Sequence, residues 1–352
     1  MNSIPHQTTR ETEDPEPRPL RFTPLLKQTI WGGRRLGRQL GKPIGDGNDY
    51  AESWEVVDHG RDQSVVADGP LGGLTLAELL TRYPAWLMGR ARADRVSPSA
   101  QGSSAQERVG FPLLLKYLDC NRVLSVQVHP DDRHAAKMEP PDLGKTEAWY
   151  VVAAEPESLI YAGLQSGVDR ETLAAAVEAG QTEQVLHSFH PQPGDCVFIP
   201  AGTVHALGAG LVIAEIQQSS DTTFRLFDWN RVDDEGRSRP LHVEASLEVT
   251  DYTRGPVFPR PTDPSIGGWQ SLVSCEKFVL VALTLGVGTV GGDDRFHILT
   301  VPRGTATLRI GEAESTLATG ETLLIPAAMG AIEVEPAENS VVLAMRLPEE
   351  TV

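Results

Sequence analysis

The run LSVQVHPDD (124–132) sets Ser125, Gln127 and His129 at every second position, with Val126 and Val128 between them. Extended backbone sends successive side chains to opposite faces, so hydroxyl, amide and imidazole share one face and the valines the other. A face of polar groups without charge is unlike ordinary strand surface and reads as a site. Three further stretches supply matching groups. GKTEAWYVV (144–152) puts Lys145 and Glu147 on one strand face, PAGTVHAL (200–207) delivers His205 just after a strand, and IQQSSDTTFRLFDWNR (216–231) carries Arg225 inside an apolar–aromatic run. Two imidazoles, a carboxylate and an amide oxygen, with no thiolate among them, suit Zn²⁺ or another divalent first-row ion. Spacing alone does not select zinc.

Taken singly, each residue has an ordinary reading: a hydrogen-bonded imidazole at a strand end, a solvated carboxylate at Glu147, a structural amide at Gln127. The acids of HPDD read as turn and helix-cap residues. His6, His59, His134, His187, His190, His242 and His297 read as structural or surface groups, and Trp31, Trp54 and Trp149 as core aromatics. An internal repeat favours His205. PGDCVFIPAGTVHAL (193–207) aligns with TGETLLIPAAMGAIE (319–333), matching Gly194 to Gly320, Asp195 to Glu321 and Ile199-Pro200-Ala201 to Ile325-Pro326-Ala327. This turn–strand–Pro unit resembles the second motif of cupin jelly rolls. His205 corresponds to Ala331, so a metal held by His205 belongs to the first copy alone.

The elements that must position these groups are short β-rich runs punctuated by Gly and Pro, including FPLLLKYLD (111–119), EAWYVVAA (147–154), CVFIP (196–200), LVIAEIQQ (211–218), FVLVALTL (278–285) and TLLIP (322–326). That texture predicts an all-β sandwich or barrel with a few helices, and the repeat's resemblance to a cupin motif implies two cupin-like jelly-roll barrels with the metal site in the first. Helical spacing is confined to LTLAELLTRYPAWL (74–87), interrupted at Pro84, and DRETLAAAVEAG (169–180), with Asp169 and Gly180 as its caps. Residues 90–108 read as a surface loop. The predicted organisation is a disordered extension over 1–19, a catalytic unit over 20–252, a linker over 253–268 and a degenerate cupin-like unit over 269–352. The chain of 352 residues is 40% apolar and 22% charged with a net charge of -17, which argues against nucleic-acid or anionic-membrane surfaces. No apolar run is long enough to span a bilayer. The polar, acidic, proline-rich start is unlike a secretory signal. With three isolated cysteines, the expected setting is a reduced cytoplasm.

The ordered set FPLLLKYLD, LSVQVHPDD, GKTEAWYVV, PAGTVHAL and SSDTTFRLFDWNR, with KQTIWGGRRL (27–36) and ESWEVVDH (52–59) before it, resembles the type I mannose-6-phosphate isomerases, in their short bacterial form. The resemblance runs from Leu20 to Val249, with weaker support beyond. It implies one zinc ion per chain on Gln127, His129, Glu147 and His205, a catalytic Arg225 with Lys145 and Glu215, and Lys116 and Ser125 toward the substrate. The implied reaction interconverts mannose 6-phosphate and fructose 6-phosphate. Phe224, Phe227 and Ala148 depart from residues common in that family without touching an implied ligand. Aldose–ketose exchange moves a proton between C1 and C2. A metal can hold the two sugar oxygens and polarise the carbonyl, and a permanently charged Arg225 can neutralise the developing negative charge. At least one of Lys116, Lys145 and Arg225 must take the phosphate. Glu215, Lys145, a ligand histidine and a metal-bound water all remain open as proton carrier. Two other functions fit the same residues: a non-catalytic metal-containing sensor of a sugar phosphate, and an Fe²⁺-dependent oxidative cupin. Oligomeric state is not specified by the sequence.

Overall fold

A computed structural model describes residues 13–96, 110–232 and 235–349. Strand dominates and helices are few. The first unit pairs a seven-stranded sheet with a five-stranded one. The larger sheet runs, edge to edge, Arg260–Pro261, Asp195–Ile199, Glu147–Ala154, Leu211–Gln218, Leu113–Cys120, Tyr50–Val56 and Leu25–Gly33. The smaller runs Leu186–Phe189, Ile160–Leu164, His205–Leu207, Val126–Val128 and Phe224–Phe227. The second unit pairs five strands with four. The sheets are open: among the described residues none closes into a barrel. Arg260–Pro261, within the segment 253–268, pairs with the strand Asp195–Ile199 of the first unit. Leu20 exchanges backbone hydrogen bonds with Leu324 of the second unit at 2.8 and 2.9 Å.

The central strands of the large sheet are buried on both faces, which is why they read as nearly continuous apolar runs. Alternation then sorts their side chains. Leu113, Leu115, Tyr117, Tyr150, Val212 and Ala214 face outward, onto helices and onto Phe278, Leu280, Ile298 and Leu343 of the second unit. Leu118, Trp149, Val151, Leu211 and Ile213 face inward, packing against Ile160, Ala162 and Leu207 of the smaller sheet. By the same parity Lys116, Glu147 and Glu215 enter the space between the sheets. The interior of the second unit, from Leu283 and Leu299 to Leu323 and Val342, is a separate apolar cluster.

The predicted helix over 74–87 is two helices, Leu76–Arg82 and Pro84–Met88. Thr75 and Glu78 form a reciprocal cap at the start of the first, and Pro84, with no N–H to donate, opens the second. Arg170–Glu178 begins with Asp169 accepting from Thr172 N at 2.8 Å, and Gly180 beyond its end has φ 67°. The 90–108 stretch corrects the loop expectation: Arg90–Val96 is helical, and residues 97–108 lie outside the described set. Residues 1–12 of the expected disordered extension also lie outside it. No helix among the described residues is long and apolar enough to cross a membrane.

Candidate active site and metal centre

Two rows of side chains face each other across the first unit. On the smaller sheet, strand register places His205 beside Gln127, and Gln127 beside Arg225. On the larger sheet, Trp54 pairs with Lys116, Lys116 with Glu215, and Glu215 with Trp149, while Glu147 lies on the same face one pleat away, opposite Gln217.

His129, Glu147 and His205 are 1%, 0% and 0% exposed, and they offer ligand atoms that all lie within 4.8 Å of one another. His129 Nδ1 hydrogen-bonds the Thr222 carbonyl at 3.0 Å, and His205 Nδ1 the Thr203 carbonyl at 2.8 Å. A carbonyl only accepts, so each Nδ1 carries the proton and each Nε2 is left with its lone pair. Those Nε2 atoms sit 3.5 and 3.4 Å from the two oxygens of Glu147. Glu147 Oε1 and His205 Nε2 are buried without a hydrogen-bond partner. Buried polar atoms left unpaired cost free energy unless something else fills their valence, and a cation would do so here. The Lys145 ammonium already contacts the cluster, 3.0 Å from His129 Nε2 and 2.5 Å from Glu147 Oε2. Two fixed imidazoles and a carboxylate with backbone second partners fit a divalent metal. Gln127, half-buried on the strand between His205 and Arg225, lines the space beside this cluster.

Burial, reinforced by Lys145 and His205, holds the His129 imidazole well below its ordinary value, and burial takes His205 down to about 3. Both are therefore neutral at working pH, as ligation requires. Burial and the neighbouring Glu215 push the Glu147 carboxyl up to about 7. Glu215 goes the other way: burial opposes its charge, but Lys145 and Lys116 outweigh it and hold the carboxyl below its usual range. Its Oε1 lies 3.5 Å from Lys116 Nζ and 3.7 Å from Lys145 Nζ, and its Oε2 accepts from Trp149 Nε1 at 3.0 Å. Lys116 also reaches Glu52 at 3.3 Å and lies over the Trp54 ring, 4.9 Å from its centroid. Against its burial, Glu52 and Glu215 raise its pKa.

Beside this cluster opens a cleft of about 350 Å³, toward the small end for ligand cavities, lined by Ser125, Gln127, Lys116, Lys145, Glu215 and Arg225 among others. All nine residues singled out from the sequence thus lie in the cleft wall or the adjoining metal cluster.

A family profile, phosphomannose isomerase type I, catalytic domain, matches residues 20–157. Mannose-6-phosphate isomerase ManA of Bacillus subtilis (strain 168) is 34% identical over 320 residues, covering 90% of this chain and 96% of its own. The chain belongs to the type I phosphomannose isomerase family. A Streptococcus mutans mannose-6-phosphate isomerase is 33% identical, over 88% of this chain and 92% of its own. The crystal structure of the Bacillus subtilis mannose 6-phosphate isomerase superposes with a TM-score of 0.77 at 29% identity, covering 93% of this chain and 99% of that one.

Within this phosphomannose isomerase framework the structure adds residues that the sequence reading passed over. Glu52, Asp221, Thr223 and Arg239 also line the cleft, as does Trp31, which the sequence suggested was only a core aromatic. Thr222 contributes a carbonyl rather than a side chain, which no residue-type pattern can show. Asp131 caps the helix Asp132–Ala135 as expected, but Asp132 does more than turn the chain. Its Oδ1 accepts from Gly144 N at 2.8 Å and Gln218 Nε2 at 2.9 Å, and its Oδ2 from Lys277 of the second unit at 2.6 Å.

Proposed function

We propose that the protein interconverts mannose 6-phosphate and fructose 6-phosphate, using one zinc ion held by His129, Glu147, His205 and Gln127. The observation that carries this is the convergence of two Nε2 lone pairs and the Glu147 carboxylate, with both Nδ1 protons pinned to backbone carbonyls. The bound ion would polarise the sugar carbonyl and hold its neighbouring oxygen. Arg225 supplies a fixed positive charge on the opposite side of Gln127 from His205, where negative charge builds on the substrate oxygens. Lys145, among His129, Glu147 and Glu215, bears a proton at Nζ beside the reacting oxygens. Glu215 is committed to Trp149 and both lysines, so its work is to hold Lys116 and Lys145 in place. Ser125, buried in the cleft wall, offers a hydroxyl to the sugar. A reducing, cytoplasmic setting agrees with three free cysteines, two of them buried.

The test is an isomerase assay on protein stripped by a chelator and then restored with zinc, beside His205→Ala and Arg225→Ala. Turnover should vanish on stripping, return with zinc and be absent in both variants. A zinc-loaded wild type that binds mannose 6-phosphate but leaves it unchanged is a sensor, and the isomerase reading then fails.

A further inference from the structure

The cleft is electrically divided, and the division points away from the lysines as the phosphate site. Lys116 and Lys145 are 5% and 4% exposed and already neutralised: Glu52 and Glu215 flank the first, Glu147 and Glu215 the second. Asp221 adds a further negative charge acting on Lys116. Two ammoniums thus face four carboxylates, and with the divalent ion of the proposed site the charges only balance, so a phosphate dianion placed there meets no net attraction.

The other end has the opposite balance. Among the described residues the charged groups acting on Arg225 are Arg239, Asp228 and Arg231, three guanidiniums with one carboxylate. Arg239 lines the cleft and is fixed by Asp228, donating from Nε to Oδ2 at 2.8 Å and from Nη2 to Oδ1 at 2.5 Å. Arg231 grips the same carboxylate. Asp228 is 5% exposed, so the fork is anchored from behind and its arginine loses little freedom on meeting a ligand. The backbone brings this residue to the right place. Arg225 N donates to His242 Nδ1 at 3.1 Å, His242 N to the Arg225 carbonyl at 2.7 Å, and Arg225 Nη1 to the Pro240 carbonyl at 2.9 Å. The segment 239–242 therefore lies against the strand Phe224–Phe227, on the side away from Gln127. Two strand spacings of about 4.8 Å separate the His205 and Arg225 backbones, and Arg239 lies one segment further.

We infer that Arg239, with Asp228 as its positioning residue, binds the phosphate of the substrate at the end of the cleft remote from His129, Glu147 and His205. This rests on the phosphosugar reading above. The open chain of a six-carbon phosphosugar then lies along the cleft, with its carbonyl end at the imidazole–carboxylate cluster. Arg239 sets the preference for a phosphorylated over an unphosphorylated sugar.

The test compares wild type with Arg239→Ala and Arg239→Lys. Three readouts are needed: steady-state kinetics on mannose 6-phosphate, competitive inhibition by inorganic phosphate, and calorimetric binding of inorganic phosphate. Loss of a charge-assisted fork predicts a rise on the order of 10- to 100-fold in KM and in the phosphate constants for Arg239→Ala, with kcat changed far less. Arg239→Lys, which keeps a cation beside Asp228, should recover part of the loss and serves if the alanine variant fails to fold. The inference is overturned if phosphate binds these variants as it binds wild type, or if kcat falls while KM and phosphate affinity stay put. Phosphate binding separates this claim from the isomerase reading. Arg239-dependent binding without turnover removes only the activity, and turnover with Arg239-independent binding removes only the subsite.

Discussion

Gly194 and Gly320 open the same turn in the two units, with φ 100° and 79°. In each the acidic residue that follows accepts from the backbone N–H three residues back: Gln192 N to Asp195 Oδ2 at 2.8 Å, and Ala318 N to Glu321 Oε2 at 2.7 Å. Each then runs a short strand, Asp195–Ile199 or Thr322–Ile325, into Pro200 or Pro326. Past the proline they diverge. The first copy brings His205, wholly buried, against Glu147, whereas the second has the exposed Ala331 followed by Ile332, which enters a core of Leu, Val, Ile, Met and Ala. The same backbone device holds a polar cluster in one unit and an apolar filling in the other. Chemistry therefore resides in what the inward positions carry, and the fold alone does not decide it.

The largest expected effect breaks that contrast at its centre. His205→Ala should reduce isomerase turnover to background and remove bound metal, measured by elemental analysis of the dialysed protein. The reciprocal change, Ala331→His, should leave the metal content at one per chain, because Ala331 is exposed and its inward neighbour Ile332 packs in an apolar cluster. A second equivalent of metal in that variant would show the units to be interchangeable.

Packing is where the second unit should be sensitive. Leu323, 3% exposed within its apolar cluster, should cost about 2–5 kcal/mol on truncation in Leu323→Ala, read from urea unfolding. The kcat of the folded variant should stay at the wild-type value. A kcat that fell with stability would make the second core part of the site.

A smaller effect tests a polar link between the second unit and the site. Lys277 Nζ holds Asp132, whose other oxygen fixes Gly144 N beside Lys145. Both side chains are a third or more exposed, so Lys277→Ala should cost only about 0.5–1 kcal/mol. A fall of a few-fold in kcat/KM should accompany it, since Lys145 and Glu147 follow Gly144 directly in the chain. Unchanged kinetics would show that this contact does not reach the site.

What the sequence disclosed follows from the range of the interactions involved. Alternation within one strand is local, so Ser125, Gln127 and His129 on one face, and Lys145 with Glu147 on another, were legible. So were the caps at Asp169 and Asp131. The Lys116–Glu215 pairing depends on which strands become neighbours and in what register, a long-range outcome with no local signature. That is why both lysines looked available for phosphate and are instead occupied by carboxylates. Glu52, Asp221 and Arg239 were missed for the same reason: each is an unremarkable charge until the chain is folded. The helix Arg90–Val96 was missed because its run of Arg and Ala lacks apolar spacing, although both are strong helix formers.

The smallest effect compares two histidine–aspartate pairs, one in each unit. His59 Nε2 lies 3.1 Å from Asp142 Oδ1, and Asp142 Oδ2 accepts from Ser220 at 3.0 Å and Thr222 at 2.6 Å, fixing the loop whose carbonyl orients His129. His297 Nε2 lies 3.0 Å from Asp293 Oδ1, a contact within its own loop and strand. The hydrogen bond to Asp142 raises the His59 pKa against its burial, so this contribution is present below about pH 6.5 and is lost as pH rises through the folded value. Asp142 is lowered to about 2: burial opposes its charge, but His59 and Thr222 outweigh it. That contribution is present above about pH 4 and is lost as pH falls toward the folded value. The pair is therefore strongest between about pH 4 and 6.5. His59→Ala should lose about 0.5 kcal/mol near pH 5.5 and less by pH 8.5, with a small drop in kcat as the loop that orients His129 loosens. His297→Ala should change stability alone. A kinetic effect of equal size from both substitutions would mean that neither pair acts through the site, and the distinction between a unit arranged for chemistry and one arranged for packing would fail at its polar margins.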